Sequence, residues 1–260
     1  MPRKSRRTLT PEAMVRAMYR KLVRSWGPQH WWPAETPFEI IVGAILTQNT
    51  SWGNVERALA SLLAAEALTV AGIRNVSLVR LQELVYSSGY YRQKAQRLKD
   101  FVSFLDEKHN GSLETMLATP CDELRAELLS LRGIGPETAD SILLFAGNHE
   151  IFVVDAYTRR VLERHRAIDR RASYDQVRNL VQRVLQREKT LVTMKSTAAK
   201  NVPVHNPSVM STTKRSRLSQ VYNEMHGLFV QVGKHYCLKQ EPRCEACPLG
   251  SLLPPGNLPL

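Results

Sequence analysis

The chain has 260 residues and a mass of 29.5 kDa, with 36 Lys and Arg against 24 Asp and Glu, a formal net charge of +12 and an isoelectric point near 9.8. A hydrophobic content of 43% suffices for one large domain or two modest ones and excludes disorder along the whole chain. The longest apolar runs, residues 38–46 and 142–146, fall short of the roughly 18–20 residues of a membrane-spanning helix, and residues 1–10 are basic and polar, with no secretory signal. A soluble cytoplasmic protein with a polyanionic partner is expected, nucleic acid being the usual one.

In chain order the periodicity is helical almost everywhere. Met14, Met18, Leu22 and Val23 form one stripe, and Val55, Leu59, Leu62 and Leu63 the next. Leu124, Leu128, Leu129 and Leu131 follow, then Val177, Leu180, Val181, Val184 and Leu185. The run 151–154 could pass for a strand but is too isolated to make a sheet. The expected fold is all-α, with ten or more short helices. Residues 27–37, with three prolines and two tryptophans, read as a loop. Residues 189–217 carry Lys189, Lys195, Lys200, Lys214, Arg215 and Arg217 without one acidic residue. This segment is expected to be a disordered insertion, and the basic cluster at residues 3–7 reads the same way.

The most specific local pattern is Leu131-Arg132-Gly133-Ile134-Gly135-Pro136-Glu137-Thr138-Ala139, set between two apolar helical stretches. Glycines two apart permit a hairpin turn whose N–H groups point outward at the start of the next helix, where the macrodipole favours an anion. Pro136 suits the first helical turn. A hairpin of this kind grips a DNA phosphate without reading sequence; an ordinary helix–helix turn is the plainer alternative. Eighteen residues past Glu137 stands Asp155, which reads both as the N-cap of a helix starting at Ala156 and as a carboxylate facing docked DNA. Of the four cysteines, Cys121 is alone, whereas Cys237, Cys244 and Cys247 fall within eleven residues. In a cytosolic chain such clustering favours metal or iron–sulfur ligation over disulfides.

The hairpin, the step to Asp155 and the cysteines together resemble the helix–hairpin–helix (HhH-GPD) DNA glycosylases of the endonuclease III superfamily, over residues 31–249 apart from the insertion. The resemblance implies two helical lobes with a cleft between them: a six-helix lobe over 30–149 containing the hairpin, and a second lobe from 1–29 plus 150–260. It implies double-stranded DNA with a damaged base as partner, contacts from Gly133, Ile134, Gly135 and Thr138, and Gln48 filling the hole left by an extruded base. The family's aspartate, which stabilises the oxocarbenium-like sugar or activates water, falls on Asp155. Bifunctional members carry a lysine that forms a Schiff base where this chain has Glu137, so a monofunctional enzyme is expected, with Glu137 positioning water or only complementing the helix dipole.

More narrowly, Trp31-Trp32-Pro33, the Leu46-Thr47-Gln48-Asn49-Thr50 run and Trp52 resemble the 3-methyladenine DNA glycosylase III branch. There, aromatic and proline faces sandwich the flipped base, a place taken here by Trp31, Pro33 and Trp52, with Trp32 beside them. A cationic methylated adenine gains roughly 0.5–2 kcal/mol on an indole face. Tryptophans beside a proline loop can equally be core. Cys237, Cys244 and Cys247 match three ligands of the family's C-x6-C-x2-C-x5-C loop for a [4Fe–4S] cluster, but the fourth position is Leu253. A cluster with another fourth ligand, a remnant loop, or zinc completed by His235 all remain open. A monomer is expected, nucleoid-associated in a bacterium. The alternatives are an endonuclease III-like enzyme for another damaged or mismatched base, and a non-catalytic DNA-binding protein.

Overall fold

The computed structural model describes residues 9–188 and 205–254. Residues 3–7 and 189–204, expected to be disordered, lie outside that range. Thirteen α-helices run through the described residues: α1 Pro11–Trp26, α2 Pro37–Leu46, α3 Trp52–Ala64, α4 Val70–Asn75, α5 Leu78–Leu84, α6 Tyr91–His109, α7 Leu113–Ala118, α8 Cys121–Ser130, α9 Pro136–Ser141, α10 Ala156–Arg164, α11 Tyr174–Gln186, α12 Val209–Thr212 and α13 Arg217–His235. The fold is all-α, as expected, with no strand among the described residues. Residues 151–154 form no strand because side chains satisfy their amides. Phe152 N–H donates to Gln182 Oε1 at 3.0 Å and Val154 N–H to Tyr174 Oη at 3.2 Å. No helix among the described residues is long and apolar enough to cross a membrane.

The helix starts follow from local chemistry. Thr10 and Thr36 accept from the amides of Ala13 and Glu39, each followed by a proline at the first helical position. Ser173 and Gln176 close a capping box at the head of α11, and Ser216 caps α13.

Two compact units emerge. One consists of Met1–Trp31, Glu150–Pro207 and Lys214–Leu260, the other of Trp32–His149 and Ser208–Thr213. In the first, α13 is the central element: Val221 through Gly233 are all buried, and the helix packs on α1, α10 and α11. Its approach to α10 is so close that a Cβ at Gly233 would fall 2.2 Å from Tyr157 Cδ1 and 2.7 Å from Tyr157 Cβ. In the second unit, α2 is buried nearly all round and packs on α3, α6, α9 and the π turn Ile142–Ala146 that continues α9.

Of the segment expected to be disordered, residues 205–217 lie among the described residues. Ser208 opens α12 with a capping box to Ser211, its Oγ accepts from Ala34 N–H at 3.2 Å, and Met210 N–H donates to Ala34 O at 3.0 Å. Composition could not anticipate this, because the backbone partners sit some 170 residues earlier at Ala34.

Candidate active site

In the second unit the hairpin joins α8 to α9. Gly133 adopts a φ of +85°, which an L side chain rarely takes, and an added Cβ would lie 2.1 Å from Arg97 Nε. Gly135 is different: its backbone is extended, with φ −96°, and it serves as the N-cap of α9. Only one of the two glycines is therefore demanded by backbone conformation. The N–H groups of both glycines donate to no carbonyl among the described residues, whereas Ile134 N–H is used on Leu131 O and its side chain is buried. Ile134 thus fills the turn, and the glycine amides are the groups free to meet an anion. Beneath the hairpin, Arg125 and the fully buried Asp140 form a two-pronged ion pair, with Nε to Oδ1 at 2.7 Å, tying α8 to α9. Glu137 is exposed in the first turn of α9.

Gln48 lies in the turn after α2, beside Asn49 at φ +53°. Its side chain is folded onto the hairpin. Nε2 donates to Gly133 O at 3.0 Å and to Thr138 Oγ1 at 2.9 Å, and Oε1 accepts from Arg97 Nη1. Lys94, buried completely, secures the end of α2 by donating to Leu46 O at 2.8 Å and Ser88 O at 2.6 Å. Burial, with Arg97 nearby, lowers its amine to about 8. Trp32 packs edge-on against Trp52 at 5.1 Å and at a tilt against Phe145 at 5.4 Å, over Gly43, where a Cβ would sit 3.1 Å from its ring. Trp32 is buried, whereas Trp52 and Pro33 are partly exposed.

In the first unit Asp155 caps α10, its Oδ1 accepting from Thr158 N–H at 2.7 Å, and is 9% exposed. The N-cap reading holds: one oxygen caps the helix while the carboxylate stays buried. Its Oδ2 lies 4.0 Å from Nε2 of His226, a buried histidine of α13 that the sequence reading missed. Trp31, also buried, is flanked by His205 at 5.4 Å and His226 at 5.7 Å between ring centroids, with Lys234 Nζ 5.9 Å from its ring. Gly227 allows α13 to pass residues 29–31, since a Cβ there would meet Gln29 Cβ and Trp31 Cβ at 3.0 Å. Nearby, Glu224 accepts from Gln29 N–H and Gln220 Nε2, each at 2.8 Å, and burial pushes its carboxyl up to about 7.

Cys237 and Cys244 lie near enough to Cys247 to help raise its thiol. Among the described residues no group of three His, Cys, Asp or Glu side chains is placed to hold a metal ion. Cys237 Sγ instead accepts from Arg164 Nη1 at 3.2 Å, and its carbonyl from Arg160 Nε at 2.5 Å. Burial raises the Cys237 thiol and pushes that of Cys247 up to about 11. With Leu253 in the fourth position, this donor set does not fit a four-thiolate cluster, nor does His235 complete a zinc site. Arg160, whose Nη2 also donates to Gly233 O at 2.9 Å, and Arg164 fasten α10 to the segment after α13.

A helical fold carrying a glycine hairpin and a buried aspartate at a helix head defines a class of base-excising enzymes, and the chain belongs to it. Residues 42–187 match the HhH-GPD superfamily of base excision DNA repair proteins. Over 238 residues the chain is 40% identical to a candidate DNA repair glycosylase of Methanocaldococcus jannaschii, covering 91% of this chain and 94% of the relative. Endonuclease III of Thermotoga maritima is 25% identical over 90% of this chain and 89% of its own length. Among solved structures, the H. pylori 3-methyladenine DNA glycosylase MagIII bound to an ethenoadenine superposes with a TM-score of 0.67 at 27% identity, covering 87% of this chain and 98% of that one. A non-covalent endonuclease III–DNA complex shares the fold, with a TM-score of 0.69 at 21% identity over 95% of this chain and 96% of that one.

Proposed function

We propose that this DNA glycosylase is monofunctional and hydrolyses the glycosidic bond of an extruded alkylated purine in double-stranded DNA, with 3-methyladenine the first candidate. The observation that carries the reading is the residue at 137, a carboxylate where a Schiff-base mechanism needs an amine, in a chain that keeps Asp155 buried at a helix head. As the C1′–N bond breaks, the bond electrons leave with the cationic base, which departs neutral. The Asp155 carboxylate stabilises the positive charge left on the sugar, worth more in a dry pocket than in water. Water then bonds to C1′ and passes its proton to the Asp155 carboxylate, which returns it to solvent, leaving an intact abasic strand. Lys94 supplies no alternative nucleophile, because its amine is held between two backbone carbonyls.

Substrate choice rests on the aromatic groups. Trp52, partly exposed, offers an indole face that attracts a cationic methylpurine, Trp31 being the second indole expected to serve it, and the likeness to the H. pylori 3-methyladenine enzyme supports the same class of base. DNA is gripped by the glycine amides of the hairpin, with Gln48 filling the vacated stack and the protein acting as a monomer. The test is a panel of duplexes carrying methylated purines, oxidised pyrimidines or mismatches, each scored with and without alkali and with borohydride trapping. Free 3-methyladenine, with strand breaks only after alkali, is expected. Release of an oxidised pyrimidine or a mismatched base instead identifies an endonuclease III-like specificity, and a trapped covalent complex contradicts the monofunctional mechanism.

A further inference from the structure

His226 comes from a helix some seventy residues beyond Asp155, yet the two side chains meet in the buried centre of the first unit. The carboxylate has two oxygens to place. Oδ1 is fixed by the Thr158 amide at 2.7 Å, and Oδ2 lies 4.0 Å from His226 Nε2. The other imidazole nitrogen, Nδ1, lies 3.4 Å from the Val153 carbonyl, so the ring is bracketed by two acceptors, both from the segment leading into α10. Its orientation is further set by packing on the Trp31 ring.

We propose that His226 is the positioning residue for Asp155, its imidazole lying 4.0 Å from the second carboxylate oxygen while the Thr158 amide hydrogen-bonds the first. The inference rests on the reading of Asp155 as the group that stabilises the sugar cation. A carboxylate held by one oxygen alone can swing about its Cβ–Cγ bond. A buried ring set against the second oxygen restricts that freedom and keeps the anion aimed. Burial depresses the imidazole's affinity for a proton, while Asp155 and the Val153 carbonyl oppose this, so the pair's protonation is interdependent. The other ionisable groups around it are His205 and Lys234 near Trp31, Tyr157 and Arg160 on α10, and Glu224 on α13 itself. The Tyr157 hydroxyl is raised by burial and by Asp155.

Two measurements on the full-length protein test this. Histidine-labelled NMR titrations of the parent and Asp155→Asn isolate the carboxylate, since every other charge is common to both. The His226 midpoint is expected to fall when the anion is removed. An identical midpoint in the two proteins, or a ring that never titrates in the parent, overturns the proposal whether or not any lesion is excised. In single-turnover excision, His226→Ala is expected to lose roughly a hundredfold in rate, with affinity for a duplex carrying a tetrahydrofuran abasic analogue unchanged. His226→Gln, whose amide nitrogen can reach the place of Nε2, is expected to recover most of that rate. Gln no better than Ala, or a loss confined to affinity, contradicts a positioning role. A parent that releases no lesion, with the NMR shift present, faults the assigned activity and leaves the pairing standing.

Discussion

Gln48 Nε2 donates to Thr138 Oγ1 at 2.9 Å, joining the turn after α2 to the first turn of α9 across 90 residues of sequence. The same nitrogen reaches the Gly133 carbonyl, and Arg97 closes the arrangement from α6. A side chain proposed to fill a gap in DNA is therefore stored against the element proposed to grip the backbone. Releasing it costs two or three hydrogen bonds, each worth about 1 kcal/mol net. The proposed hairpin docking and wedge insertion are accordingly expected to be coupled through Gln48.

This coupling is testable at Thr138. Thr138→Val keeps the shape and removes one acceptor, so unfolding free energy measured in urea is expected to drop by about 1 kcal/mol. Gln48→Ala removes every bond that side chain makes and is expected to lower stability by about 2–3 kcal/mol, and to weaken binding of a lesion duplex. Equal affinity of Gln48→Ala and parent for the lesion duplex contradicts the wedge.

Gly233 sets how closely α13 approaches α10, the helix Asp155 caps. Adding one methyl group drives it into Tyr157, and such overpacking typically costs roughly 1–3 kcal/mol. Thermal or urea unfolding of Gly233→Ala is expected to show that loss, together with slower excision, because Asp155 and His226 shift apart. Full activity with lowered stability would separate the packing from the site.

Lys94 yields a pH signature. Its folded-state amine, near 8, lies below the ordinary lysine value of about 10.4. The unfolded chain binds more protons between these values, so stability rises with pH there, and the cost of burying the charged amine is fully present below the lower one. Compared with Lys94→Met, the parent is expected to gain relative stability between pH ~8 and ~10.4. A constant difference between the two proteins across that window shows that the amine is not depressed.

The segment after α13 is held by arginine. Fresh anaerobic protein is accordingly expected to lack the visible absorption of an iron–sulfur cluster. Arg164→Ala is expected to destabilise it by about 1 kcal/mol or more, through loss of bonds to Cys237 Sγ and Leu238 O. Four irons bound per chain would contradict the arginine-held loop.

The hairpin and Asp155 were legible in the sequence because their information is local: a glycine with positive φ, a proline at a helix start, an acid before a helix. The all-α architecture was legible in the apolar spacing of α1, α3, α8 and α11. His226 was not, since a histidine within a helix buried on all sides carries no periodic signal, and its meeting with Asp155 depends on α10–α13 packing. The Gln48–Arg97–Gly133 arrangement was hidden for the same reason. At the cysteines the spacing carries three of the four ligand positions, with Leu253 in the fourth, and arginines on α10 bind Cys237.

The most direct test of the central claim is single-turnover release of 3-methyladenine by the parent and by Asp155→Asn, beside binding of a tetrahydrofuran duplex. Asparagine keeps the capping oxygen for Thr158 and removes only the charge. The account predicts that the variant binds the abasic analogue no more weakly than the parent but loses about a hundredfold or more in excision rate. Excision by Asp155→Asn at the parent's rate would contradict it.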